Sequence, residues 1–152
     1  MFKRLSVFTF LSLLPFLGCT SAPEGPRQGP RTAAPVSNGC ESKPPVEITK
    51  PLEGQEVPYT PTVEGRVPAS DVKVWVVVHP LAEPTQFWVQ EPVAVRSDCT
   101  WAGTVYFGEP NTHNQQFEVM AVGNPDPPID KGQRASWPNS QLASKIITVT
   151  RR

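Results

Sequence analysis

Residues 71–80 constrain the fold most, because they hold the most apolar β-branched run outside the N-terminus. Valine and tryptophan between turn-forming residues suit a buried, pleated surface, so we predict a central strand over residues 72–79. Alternation places four side chains on a face that we expect to look inward, Val72, Val74, Val76 and Val78. The opposite face, with Lys73, Trp75, Val77 and His79, is mixed at its ends, and we expect it to meet water.

The rest of the chain predicts further short strands and one domain. The 152 residues include 19 prolines, which argue against an all-helical fold because proline breaks a helix interior. Apolar runs bounded by turn residues are typical of an all-β sandwich of about seven to eight short strands. We expect one helical turn near residues 128–133. The predicted strands cover 46–49, 62–67, 72–79, 86–90, 93–95, 101–107, 117–122 and 145–150.

The charge of the chain excludes one class of partner. Lysine and arginine number 14, as do aspartate and glutamate, and the formal net charge is zero. A near-neutral surface without basic clusters has no electrostatic footprint for nucleic acid. We therefore expect no nucleic acid partner.

Residues 1–18 have the pattern of a signal peptide. Lys3 and Arg4 form a positive start, an apolar run follows, and Gly18 supplies the small residue before a cleavage point. The apolar run is shorter than the ~20 residues that a spanning helix needs. A secretory leader is thus favoured over a permanent membrane span.

The segment Phe16-Leu17-Gly18-Cys19 resembles the lipobox of bacterial lipoproteins. That family favours leucine three residues and a small residue two residues before the cysteine, where this chain has Phe16 and Leu17. The resemblance implies that Cys19 is diacylated and anchors the protein in the bacterial cell envelope, with the domain facing the periplasm or the exterior. Thr20 after the cysteine resembles the outer-membrane class of Gram-negative lipoproteins. The alternative is an ordinary secretory signal in which Cys19 is incidental.

Residues 19–45 are predicted to be a flexible linker. Proline, glycine, serine and alanine dominate them, and Val36 is their one large aliphatic residue. Such a segment buries too little apolar surface to offset its ordering entropy. We expect it to separate the anchor from a folded domain over residues 46–152.

Residues 46–150 look like a bacterial immunoglobulin-like (Ig-like) domain. The resemblance rests on an opening V-x-I-x-x-P-x-x-G-x-x-V, a V-x-G-x-V over residues 63–67, the apolar run 74–78 and a turn followed by Thr100 and Trp101. It implies a Greek-key sandwich with an accessory or binding role and no catalysis.

Two cysteines remain after Cys19, namely Cys40 and Cys99. An even count in an oxidising compartment favours a disulfide between them, the alternative being two free thiols. Related Ig-like turns often read Asp-Gly-Thr-Trp, and Cys99 occupies the position of that glycine.

The motifs of catalysis and metal binding are missing from the sequence. His79 and His113 are isolated, and no Cys-x-x-Cys or His-x-x-x-His spacing occurs. The chain also has no Gly-x-Ser-x-Gly elbow and no glycine-rich phosphate loop. We predict no metal, no cofactor and no enzymatic activity.

The tryptophans offer one sharper hypothesis. Trp88 alternates with Phe87, so one of the two faces water or an edge, and Trp137 lies in a Pro-rich stretch too long for a passive connection. We predict a recognition surface at Trp88 and Trp137, although packing in the core or in a loop is the better explanation of each residue singly. The partner is then an envelope protein or, alternatively, a carbohydrate such as peptidoglycan bound by exposed aromatic rings.

Overall fold

The structure is a computed structural model that describes Cys40 and residues 45–152. The predicted signal peptide, Cys19 and most of the linker lie outside these residues. The described chain is all-β, and it contains no helix with the length and apolar character needed to cross a bilayer. Its ten strands, in chain order, are β1 (Glu47–Lys50), β2 (Glu56–Val57), β3 (Thr62–Arg66), β4 (Val74–Pro80), β5 (Phe87–Val89), β6 (Thr100–Thr104), β7 (Gln116–Gly123), β8 (Gly132–Arg134), β9 (Leu142–Ala143) and β10 (Ile147–Arg151).

Two sheets form a sandwich, which confirms the predicted fold class. The small sheet has the order β1-β3-β6, and the large sheet has the order β2-β10-β7-β4-β5-β8, with β9 paired to β7. The chain passes between the sheets from β3 to β4 and from β6 to β7, as in a Greek-key sandwich. The strand count exceeds the predicted seven to eight because the sequence did not predict β2, β8 and β9, each of which has two or three residues.

The predicted central strand is β4, which pairs with β7 on one side and β5 on the other. Its inward face is confirmed, because the four even-numbered valines all belong to the core between the sheets. Trp101, Val105 and Phe107 from the neighbourhood of β6 are fully buried in the same core, and Phe107 meets Phe117 edge to face at 5.4 Å. Burying these branched and aromatic side chains is the main favourable term in the fold.

The opposite face of β4 differs from the expectation that it meets water. Residues 124–141 cross this face, and Ile129 and Trp137 pack there against a second apolar cluster. Val77 is completely buried, and His79 is 7% exposed. The rest of this cluster comes from the large sheet, namely Phe87, Val89, Met120 and Val122.

Two local predictions in loops are wrong. Residues 132–134, at the end of the predicted helical turn, form β8 and extend the large sheet beside β5. Residues 93–95 make single bridges and no strand, because Val93 pairs with Val74 of the large sheet and Val95 with Trp101 of the small one. This short segment crosses from one sheet to the other.

A disulfide joins Cys40 to Cys99, as predicted, with a Cα–Cα distance of 5.5 Å. Cys99 is buried and has a φ of 63°, in the left-handed region that glycine tolerates best. Its carbonyl accepts a hydrogen bond from the Val67 amide, directly before β6 begins. The disulfide therefore attaches Cys40, which lies ahead of β1, to the start of β6.

Candidate binding cleft

A cleft opens where the large sheet extends beyond the small one. The small sheet has three strands and ends at β6, and Trp88 of β5 in the large sheet remains partly exposed. The resulting space has a volume of about 380 Å³. Sites for small ligands have volumes of roughly 300–1,000 Å³, so the cleft has the size of a binding site. Its apolar floor consists of Val78, Pro80 and Phe117.

Two exposed aromatic side chains line the cleft. Trp88 lies opposite Val78 in the β4–β5 pair and therefore points to the inner side of the large sheet. It is nevertheless 40% exposed, and Tyr106 is 53% exposed. Trp88 comes from the large sheet, whereas Tyr106 follows the edge strand of the small sheet. The two rings thus flank the opening between the sheets.

Gln90 connects the two backbone segments that carry these rings. Its side-chain Oε1 accepts a hydrogen bond from the Tyr106 amide at 3.1 Å, and its Nε2 donates to the Trp88 carbonyl at 3.4 Å. The Tyr106 ring also meets Tyr59 edge to face at 5.8 Å. The fold therefore holds the backbone of both aromatic residues in place, and Tyr59 contacts the Tyr106 ring.

The far wall of the cleft is held by Arg151. This buried guanidinium donates hydrogen bonds of 2.6 Å to the carbonyls of Glu109 and Pro110, and it lies 5.1 Å from the centre of the Tyr59 ring. Gly108 turns the chain into this wall with a φ of 68°, and a Cβ there would come within 3.1 Å of Phe117. Glycine suits this position because it tolerates a positive φ and has no Cβ to crowd Phe117.

Amide, hydroxyl and carboxylate groups surround the aromatic pair. They belong to Gln86, Gln90, Gln115, Thr112, Glu83 and Glu109. The described residues that line the cleft include no lysine or arginine. Lys131 lies near Tyr106 but is paired with Glu91 at 2.8 Å, and this contact raises the pKa of Lys131 above its ordinary value. The cleft thus offers both hydrogen-bond donors and acceptors, and its two carboxylates make the rim slightly negative.

An open depression continues the cleft along the same end of the sandwich. The two spaces share Glu83, Thr112 and Gln115, and the depression runs on past Leu81 and His113. Together they form an elongated surface.

The two tryptophans of the predicted recognition surface lie on opposite faces of the large sheet. Trp88 faces the cleft, whereas Trp137 packs edge to face on Phe87 at 4.9 Å in the second apolar cluster. The sequence prediction did not select Tyr106 as a site residue, although it lies between the buried Val105 and Phe107. That alternation was the signal that Tyr106 points away from the core.

The histidines and acidic residues form no metal centre in Cys40 and residues 45–152, where no group of three or more potential ligands converges. His79 is buried and its Nδ1 lies 2.9 Å from the Gln86 carbonyl oxygen, while its ring stacks on Phe87 at 4.1 Å. His113 is exposed in the loop before β7. His79 therefore acts in packing within this structure.

Comparison with known proteins adds no assignment. Neither a scan against protein-family models nor a search of curated proteins gives a match. The residues of the cleft and the sequence ahead of the sandwich are therefore the basis for a functional proposal.

Proposed function

We propose that this protein is a lipid-anchored, non-catalytic binding module of the bacterial cell envelope, and that the cleft beside Trp88 and Tyr106 is its contact site. The observation that carries the proposal is the pair of exposed aromatic rings over an open, preformed cleft. Tyrosine and tryptophan are enriched at interfaces, because each combines a large apolar ring with a polar group, so an exposed pair at a cleft supports a contact site.

The Ig-like part of the proposal is supported by the path of the first strands. The chain leaves the small sheet after β1 and joins the large sheet as β2, which pairs parallel to the last strand, β10. Three further strands, β7, β4 and β5, follow in the order expected for the larger sheet of an Ig-like sandwich. The proposed module thus has a scaffold that commonly presents loops and edges to partners.

The lipid anchor is supported by the sequence from Phe16 to Cys19. Each buried methylene contributes ~0.8 kcal/mol, so two or more acyl chains on Cys19 hold a protein stably in a membrane. The Pro-rich linker then spaces the sandwich from that surface. We place the domain in the envelope, beyond the inner membrane.

Contact with a partner protein by strand addition has less support than contact through the cleft. The edge strands of the large sheet, β2 and β8, have two and three residues. In the small sheet, the pairing of β1 with β3 is irregular between Ile48 and Lys50, and Pro51 follows directly. Short strands, bulges and proline at an edge are features that prevent pairing with another chain.

Two experiments on the full-length protein in a bacterial host test the proposal, one by fatty-acid labelling and one by photo-cross-linking. Radiolabelled fatty acid should appear on the wild type and be absent from Cys19→Ala. A photo-cross-linking benzoylphenylalanine in place of Tyr106 should form adducts with envelope material, whereas the same group in place of Leu52, which is 66% exposed outside the cleft, should form few. Absence of the lipid label would refute the anchor, and equal cross-linking at both positions would refute the cleft.

A further inference from the structure

We propose that the ligand of the cleft is a neutral glycan chain, bound with one sugar ring against Trp88 and Tyr106. This inference rests on the proposed function, because it assigns a ligand class to the same site. Its basis is the combination of exposed rings, uncharged polar groups and an elongated floor.

The aromatic pair suits a sugar ring. A pyranose presents axial C–H groups on its flat faces, and these carry a small positive charge that complements the negative face of an aromatic ring. Trp88 and Tyr106 are both large and partly exposed, and both have backbone segments fixed by Gln90. Because these backbone segments are already held, a ligand that covers the rings orders the side chains alone, which reduces the entropic cost of binding.

The rim groups suit the hydroxyls at the edge of a sugar. Every hydroxyl both donates and accepts, so its partners must offer both functions. The side-chain amides of Gln86 and Gln115 provide a donor and an acceptor each, and the Thr112 hydroxyl also provides both. An apolar peptide side chain would leave these groups without partners, at a cost in free energy.

The charge of the rim selects against acidic ligands. Glu83 and Glu109 contribute carboxylates, and the described lining residues supply no basic side chain to balance them. A phosphate or uronate in the cleft would face like charges. A neutral glycan has no such penalty.

The shape and position of the surface suit a chain of sugars. The depression beyond Glu83 and Gln115 continues the cleft, so a second and a third sugar have a floor to lie on. The disulfide lies at Cys99, before β6, whereas Tyr106 follows the other end of that strand. At ~3.3 Å per residue, about 20 Å separates Cys99 from Tyr106, so the disulfide does not lie at the cleft.

Isothermal titration calorimetry on the full-length protein, solubilised in a detergent without a sugar head group, tests the proposal. The probes are neutral tetrasaccharides of β-linked glucose, α-linked glucose, mannose and N-acetylglucosamine, with oligogalacturonate as the acidic comparison. We expect saturable binding of at least one neutral probe and none of oligogalacturonate. Trp88→Ala and Tyr106→Ala should each weaken binding about tenfold or more, since one lost stacking contact is worth roughly that factor.

Two further variants separate ligand contact from folding. Leu52→Ala removes an exposed apolar side chain outside the cleft and should bind as the wild type does. Trp88→Phe keeps a smaller ring and should bind with intermediate strength, while circular dichroism reports on the fold of each variant.

The results distinguish failure of the ligand class from failure of the site. Cross-linking at position 106 without binding of any neutral probe would refute the glycan and leave the proposed contact site standing. Neutral probes that bind equally well to the wild type, Trp88→Ala and Tyr106→Ala would also refute it, because the glycan would then lie elsewhere. Selective loss in both alanine variants would support it.

Discussion

Gly65 shows how one residue determines the packing between strands β1, β3 and β6. A Cβ at this position would overlap the Glu47 carbonyl oxygen and the indole ring of Trp101, which is fully buried. We predict that Gly65→Ala lowers the free energy of unfolding by about 1–3 kcal/mol, because overpacking displaces neighbours that cannot move freely. Equilibrium unfolding in urea measures the change.

Glu64 in the same strand provides a matched control for Gly65. Its carboxylate lies 3.2 Å from the Lys50 ammonium group, and the side chains of Lys50 and Glu64 are 68% and 41% exposed. An exposed ion pair contributes ~0–1 kcal/mol, so Glu64→Ala should change the free energy of unfolding by no more than that. A larger effect of Glu64→Ala than of Gly65→Ala would contradict the packing argument.

Asp98 makes the turn before β6 sensitive to acid. Its carboxylate accepts hydrogen bonds from the Thr100 hydroxyl at 2.7 Å and from the Thr100 amide at 3.1 Å. These bonds, the hydroxyl first, lower the pKa of Asp98 below its ordinary 3.8. A group with a lowered folded-state pKa stabilises the protein above its unfolded value and loses that contribution as the pH falls through the folded value.

We therefore predict that Asp98→Asn is less stable than the wild type at neutral pH. The difference between the two proteins should shrink as the pH falls below 3.8, where the wild-type carboxylate becomes protonated. Thermal unfolding of both proteins from neutral to acidic pH measures this. A difference that stays constant across the whole range would contradict the role of the ionised carboxylate.

At the scale of elements, residues 124–141 act as a cover for the outer face of the large sheet. Trp137 contacts His79 at 5.9 Å and Phe87 at 4.9 Å between ring centres, both edge to face. Trp137→Ala should lower the free energy of unfolding by about 1–3 kcal/mol, less than for a fully buried tryptophan because Trp137 is half-buried. Glycan binding should be unchanged in this variant, since Trp137 lies on the other face of the sheet.

Trp88→Ala should give the opposite pair of results, with weakened glycan binding and little change in stability. Urea unfolding and calorimetry on the same two variants therefore separate the roles of the two tryptophans. Loss of binding in Trp137→Ala without loss of stability would place this tryptophan at the contact surface and contradict its assignment to the cover.

The period-two alternation in the sequence predicted the elements that face the inner core. It located β4, β6 and β7 and identified the inward side chains, because burial on one face imposes that period. The cover over His79 and Val77 was not predicted, since a Pro-rich stretch without periodicity gives no signal of what it packs against. Of the residues that line the cleft, the sequence prediction selected Trp88 alone, because the position of a cleft depends on how far the two sheets overlap.

At the scale of the whole molecule, the disulfide and the cleft lie at opposite ends of the sandwich. Cys40 and Cys99 are joined before β6, whereas Tyr106 follows its end, and Arg151 near the C-terminus supports the cleft wall. Cys40, the first residue that the structure describes, therefore lies at one end of the sandwich, and the cleft opens at the other.

The disulfide contributes to the stability of the whole molecule by restricting the unfolded chain. Cys40 and Cys99 are 59 residues apart in sequence, and closing a loop of this length reduces unfolded-state entropy by an amount equivalent to about 4 kcal/mol. We predict that Cys40→Ser/Cys99→Ser loses most of this stability while glycan binding at the distant cleft is retained below the unfolding transition. Urea unfolding with and without reductant measures the effect in the wild type, and the double variant should not respond to reductant.

Because Cys99 has a positive φ, Cys40→Ser/Cys99→Gly should recover about 1 kcal/mol relative to the serine pair. Urea unfolding compares the two double variants directly. Equal stability of the two would contradict a strained backbone at Cys99.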